Sequence, residues 1–289
     1  MYTEELNDFN IDEYKDYLTE DVAENIERPF YRGLVLKEYD AEAPLGYMIW
    51  ELKNLESGKD VESLIRYFEA FDEDEVEALL SKYKEMISED NVKTSTIMIP
   101  ASNESLEMMN ILMRQGFDMM LKEGDDVSVR LSEILAMPIF NKGRTRSENV
   151  HELRDMLLRD YRKIIAKLDS LGQRGVCEDL PLLSMEYFDK DISCYYEDKD
   201  TVKGILLYHR TPSGKLQLKM MRALSNSQKE TSVILMHLLF YSVMSMKDLF
   251  DENVSVIVDR HNHAAFLLAE KLFPRGFGRP VYTGSRKEQ

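Results

Sequence analysis

Residues 225–231 read Ser-Asn-Ser-Gln-Lys-Glu-Thr and lie between an apolar strand pattern and a strongly apolar helix pattern. Ser225, Ser227 and Thr231 offer hydroxyls and Lys229 an ammonium. A helix starting there adds unpaired backbone N–H groups at the positive end of its dipole, a combination that holds an anion such as phosphate. The same residues also read as a plain helix start, with a Ser/Thr N-cap and Glu230 as a capping carboxylate. His261 and His263 flank Asn262, but no third ligand sits at a useful spacing, so no metal is expected. Cys177 and Cys194 fall in neither a CxxC nor a Cys/His pattern and read as free thiols in a reducing compartment.

The elements that must position these groups occur twice, with a period of roughly 160 residues. Residues 96–117 and 254–277 each run apolar strand, Asn, apolar-periodic helix, then Gly-Phe. Gly46 opens one apolar run 57 residues before Asn103, and Gly204 opens another 58 residues before Asn262. In the first copy the pattern predicts a helix over 12–28, a hairpin over 31–39 and 46–52, a strand over 63–71, and a helix over 72–89 with Val76, Leu79, Leu80, Tyr83 and Ile87 on one face. A strand over 96–100, a helix over 104–114 and a strand over 127–131 complete it. Residues 136–146 read as a linker and 148–171 as a long connecting helix rich in Arg and Lys. The second copy then shows strands over 185–197, 203–209 and 215–223, a helix over 230–246, a strand over 254–258, a helix over 264–273 and a tail strand near Val281.

With 289 residues there is room for two ordinary domains. A formal charge of -16 argues against binding to nucleic acid or anionic membrane, since both are polyanions. The acidic N-terminus does not read as a signal peptide and no unbroken run of 18 apolar residues occurs, so a cytoplasmic protein is expected.

This doubled order resembles the GNAT family of N-acetyltransferases, most clearly at Asn262, Ala265, Leu268, Lys271, Leu272, Gly276 and Phe277. The resemblance implies an α/β class fold (an α+β mixed sheet) with two GNAT-like domains in tandem joined by a helical linker. Their expected bounds are 1–135 and 176–289, with 136–175 between. It also implies acetyl-coenzyme A or another acyl-coenzyme A lying between two splayed strands, with its diphosphate at the start of the following helix. Acid residues 72–75 and 77 stand at that helix start in the first copy and repel a diphosphate, so the second copy is the expected holder. Met221 and Ala223 become backbone contacts, and Ser225, Ser227, Lys229, Glu230, Thr231 and Asn262 become cofactor positions. Neither copy carries the family's Gly-rich loop, and Ala269 stands where the family's acid Tyr is expected. Tyr241 and Tyr282 are then the candidate acids, and Glu186 the candidate base beside His209. The implied reaction is N-acyl transfer to a small amine or a protein amino group. Two alternatives stand beside it: a non-catalytic GNAT-like binding or regulatory module, and an aminoacyl-tRNA-dependent transferase supported by the basic stretch from His151 to Arg174.

Overall fold

The computed structural model describes the chain except residues 40, 55–59, 141–144, 173–176, 261–277 and 289, and the side chains of 125 and 126. It forms two compact units, Met1–Gly124 with Arg279–Gln289, and Asp125–Gly278.

The first unit runs β1 (Tyr2–Leu6), α1 (Ile11–Tyr14), α2 (Glu20–Ile26), β2 (Tyr31–Lys37), β3 (Gly46–Lys53), β4 (Glu62–Glu69), α3 (Glu73–Glu89), β5 (Thr94–Pro100) and α4 (Ser105–Arg114). The strand β6 (Asp118–Arg130) leads out of it, and the chain's last strand, β12 (Gly278–Lys287), returns to it. Its sheet has the order β1-β2-β3-β4-β5-β12, antiparallel throughout except for the parallel pair β4/β5. The predicted face of α3 is the buried one: Val76, Leu79, Leu80, Tyr83 and Ile87 pack on Leu36, Trp50, Ile65 and Ile97. On the other face, Tyr14, Val22 and Ile26 of α1 and α2 cover Val35 and Ile49.

The second unit continues from β6 through α5 (Leu131–Leu135), β7 (Val150–Glu152), α6 (Leu158–Ser170), β8 (Cys194–Asp198), β9 (Thr201–Arg210), β10 (Leu216–Ala223), α7 (Gln228–Leu249) and β11 (Ser255–Asp259). Its order β6-β11-β10-β9-β8-β7, with β10/β11 the parallel pair, repeats the first sheet strand for strand. The sixth strand of each sheet is exchanged. Residues 281–287 pair with β5 in the first unit, and residues 126–130 pair with β11 in the second. The units therefore divide at 124/125 and 278/279, whereas the sequence suggests 135 and 176, and residues 136–175 are part of the second unit instead of a linker between two.

Other expectations shift locally. The long helix over 148–171 is interrupted because Val150–Glu152 hydrogen-bonds along β8, and only Leu158–Ser170 is α-helical. The strand over 185–197 begins at Cys194: Met185–Tyr187 is a 3-10 turn, and the Asp189 carboxylate accepts from the amides of Asp191 and Ile192 to fold the next turn. The helix over 12–28 is two short helices, and β1 precedes them. Among the described residues, α7 is long and apolar enough to cross a membrane by length and composition, but Ile234, Leu238, Leu239, Val243 and Met246 are buried on the second sheet.

The two landmark glycines hold matching places. A Cβ on Gly46 would lie 2.4 Å from the Glu69 carbonyl oxygen of β4, and one on Gly204 would lie 2.5 Å from Ile234 of α7 and 3.2 Å from the Arg222 carbonyl oxygen of β10. Gly204→Val should therefore lift α7 from β9 and cost about 1–3 kcal/mol. A chemical-denaturation midpoint followed by circular dichroism checks this; an unchanged midpoint refutes it.

Candidate functional site

In the first unit the parallel pair opens while both strands continue; in the second, β10 runs on past the end of β11 at Asp259. The β10/β11 ladder runs from Leu216↔Val256 to Leu218↔Val258, whereas β10 itself continues to Ala223. The β4/β5 ladder likewise stops at Ile65↔Ile97, while β4 continues to Glu69. Where each parallel ladder ends, the antiparallel partner on the other side slips by one residue, leaving Lys219 as the extra residue in β10 and Arg66 in β4. A bulge bends and twists its strand, which separates it from a parallel neighbour.

Beyond the bulge, Leu224 N–H donates to the Lys203 carbonyl at 2.7 Å. Ladder alternation then makes Arg222 a hydrogen-bonded partner of Ile205, and turns the backbone groups of Met221 and Ala223 away from β9 towards the β11 side. The side chains of both contact the core beneath α7, Ala223 buried and Met221 half-buried.

Ser227 is the N-cap of α7, its hydroxyl accepting from the Glu230 amide at 3.4 Å. The Ser225 hydroxyl accepts from the Ser227 amide at 3.1 Å and donates to Glu230 Oε2 at 2.6 Å. The Lys203 ammonium bridges Glu230 Oε1 at 3.0 Å and Asp198 Oδ2 at 2.8 Å. Thr231 closes the turn through its hydroxyl to the Ser225 carbonyl and its amide to the Ser227 carbonyl. Hydrogen bonds from Ser225 and Lys203 hold the Glu230 carboxyl below its ordinary value, while Asp198 and Glu230 push Lys203 up to about 12. The amides of Asn226, Gln228 and Lys229 have no internal acceptor among the described residues, as is normal for a first helical turn. Lys229 is exposed beside them.

The first unit's counterpart is built of acids. Asp72 caps α3, and Glu75, 7% exposed, sits in the same third helical position as Glu230. Its carboxylate accepts from the Phe71 N–H at 2.6 Å, and Glu73 holds the Arg114 guanidinium through two hydrogen bonds at 2.8 and 2.9 Å. Charge follows the same division. Asp125–Gly278 carries 22 acidic and 22 basic residues and the remainder 31 and 15, so the whole excess of 16 negative charges lies in the first unit.

The structure gathers Met221, Ala223, Ser225, Ser227, Lys229, Glu230 and Thr231 at one strand–helix turn. It does not bring the proposed acid and base residues there. Glu186 lies on the 3-10 turn, exposed and paired with Lys190, because no strand passes through it. Tyr282 belongs to β12 and packs, half-buried, against the first unit's core, opposite Ile99, because the last strand is exchanged. Tyr241 lies 13 residues along α7 from Gln228, roughly 20 Å at 1.5 Å per residue. Burial raises its phenol, and Arg146 stacks over the ring at 5.2 Å. His209 is buried, its ring stacked on Tyr187 at 4.0 Å and its Nδ1 2.7 Å from the Tyr187 carbonyl. Asn262, His261 and His263 lie outside the described residues. The reading from sequence missed Lys203 and Asp198; a Lys directly before the landmark Gly204, inside an apolar strand, was the available signal.

The fold of the whole chain is that of a tandem GNAT protein. A structure of a tandem GNAT protein from the clavulanic acid biosynthesis pathway superposes over 99% of both chains with a TM-score of 0.62 at 10% identity. The GNAT glucosamine N-acetyltransferase region of a fungal multi-domain β-N-acetylglucosaminidase matches over 98% of this chain and 38% of its own, TM-score 0.60, also at 10% identity. A GCN5-related N-acetyltransferase from Anabaena variabilis matches over 99% of this chain and 73% of its own, TM-score 0.51 at 13% identity. No family model matches the sequence, and no curated protein matches it.

Proposed function

We propose that the second unit of this tandem GNAT fold is an acyl-coenzyme A-dependent N-acyltransferase domain acting on a small amine or a protein amino group. The observation that carries this reading is the bulge in β10 where its pairing with β11 ends, with the Met221 and Ala223 backbone turned to the β11 side and a Ser-lined helix start beyond it. The donor set suits the group: two backbone positions for an extended amide-bearing arm, the Ser225 and Ser227 hydroxyls and the first-turn amides of α7 for phosphate oxygens. Lys229 supplies positive charge, and Lys203 is shared between Glu230 and Asp198. A unit with balanced charge accepts a polyanion that one of net charge -16 repels.

When bound, acyl-coenzyme A supplies an acyl group already activated as a thioester. The chain contributes position, fixing the donor arm along β10 and the phosphates at α7, which is where much of the rate in such transfers originates. A non-catalytic binding module is the second reading, favoured by the failure of Glu186, Tyr241 and Tyr282 to converge on the turn.

Calorimetric titration of acetyl-coenzyme A tests the proposal. Micromolar binding is expected, weakened more than about tenfold, or roughly 1.4 kcal/mol, in a Ser227→Glu, Lys229→Glu variant that places two carboxylates at the turn. No heat at millimolar ligand ends the transferase reading. Binding without release of free thiol across a panel of amines selects the binding module.

A further inference from the structure

We infer that the first unit's equivalent of the donor site is closed by the chain's own carboxylates, with Glu73 and Glu75 taking the donors that a diphosphate would use. The architecture for a cofactor is otherwise intact there: β4 departs from β5 after Ile65, the bulge stands at Arg66, and α3 begins just beyond the strand. Two anion-binding donors remain at that turn. One is the Phe71 backbone N–H, which reaches Glu75 Oε2 at 2.6 Å, with the Glu75 side chain buried. The other is Arg114 of α4, whose planar fork is suited to a phosphate and is taken up by both oxygens of Glu73. Asp72 uses a third donor, the Glu75 amide, at 2.9 Å. An entering diphosphate must therefore displace carboxylates from their partners and also face Asp74 and Glu77.

The contrast with the second unit is sharpest at the third helical position, where both carry Glu. Glu230 is half exposed and shares Lys203, at 3.0 Å, with Asp198, whereas Glu75 is buried against a backbone amide. One chain then carries one donor site, and the first unit keeps the fold without the cofactor. The inference concerns the first unit alone and does not depend on turnover in the second.

The test uses the whole chain and two readouts. Trp50 is the only tryptophan and is fully buried in the first unit, so its emission follows that unit's unfolding. In a Glu73→Ser, Glu75→Ser variant, which keeps the Asp72 cap and frees Arg114 and the Phe71 amide, millimolar inorganic pyrophosphate should raise the Trp50 midpoint by roughly 5 °C or more. The wild-type midpoint should stay put. A variant that pyrophosphate does not stabilise overturns the inference, as does a wild type stabilised equally. Native mass spectrometry gives the second arm. Two acetyl-coenzyme A molecules per wild-type chain, or one retained per chain in the Ser227→Glu, Lys229→Glu variant, would show the first unit open. One in the wild type and none in that variant is the expected result. Should the wild type bind none, the transferase proposal fails while the pyrophosphate arm still decides this one.

Discussion

Deleting residues 279–289 should unfold the first unit and leave the second folded. Those residues pair with β5 from Val281↔Pro100 to Lys287↔Thr94, bury Tyr282 against the first core, and seat Arg286 over the Phe117 ring at 4.5 Å. A Cβ on Gly284 would lie 3.2 Å from Phe117 and 3.4 Å from Ile97, which measures how closely β12 is packed. Losing a seven-residue pairing at about 1 kcal/mol per net hydrogen bond, before any apolar term, consumes most of the roughly 5–15 kcal/mol that a domain of this size possesses. Trp50 emission should shift to that of a solvated indole, while the helical circular dichroism from α6 and α7 largely persists. Native-like Trp50 emission in the shortened chain would mean that the exchanged strand is dispensable. The same exchange predicts that residues 176–289 alone, the span suggested by sequence, do not fold, because they lack β6, β7 and α6.

Removing the buried carboxylate of Glu51 should cost the first unit about 3–5 kcal/mol, since it leaves cations without their counter-charge in the interior. Glu51 is 1% exposed; Lys53 Nζ donates to it at 2.7 Å and Arg66 at 2.8 and 3.1 Å. Burial pushes its carboxyl up, but Arg66, Lys53 and Arg28 outweigh this and hold it well below the usual carboxylate range. A depressed folded pKa contributes stability that is complete above the unfolded value of about 4.3 and is lost as pH falls towards the folded one. The urea midpoint of Glu51→Gln, read through Trp50, should therefore lie far below wild type at pH 7, with the gap narrowing below about pH 4. Equal midpoints at neutral pH would show that the cluster contributes no net stability. Arg66 is also the bulge residue of β4, so the ion pair fastens the point where the first unit's parallel strands part.

Much of this was legible in the sequence because it is encoded locally. Apolar spacing of 3.6 identified α3 face and all, alternation identified β2, short apolar runs identified β3 and β5, and the separations of Gly46 from Asn103 and Gly204 from Asn262 exposed the duplication. The 225–231 run was recognisable as a helix start carrying hydroxyls, and Ser227 does cap α7. Residues 185–193 were misread because their interspersed apolar residues do not reveal that an Asp carboxylate will fold the segment into turns.

What the sequence by itself determined is a duplicated α/β fold and the place of its strand–helix turns, since periodicity and caps depend on neighbours within a few residues. Only the tertiary structure decided which sheet receives β6 and β12, where β10 leaves β11, and that Glu75 is buried on an amide while Glu230 is shared with Lys203. The sequence marks a tail strand near Val281 but carries no address for it, because every strand offers the same backbone donors and acceptors to any edge. The partner is selected by side-chain packing across more than a hundred residues of intervening chain, and that information is not local.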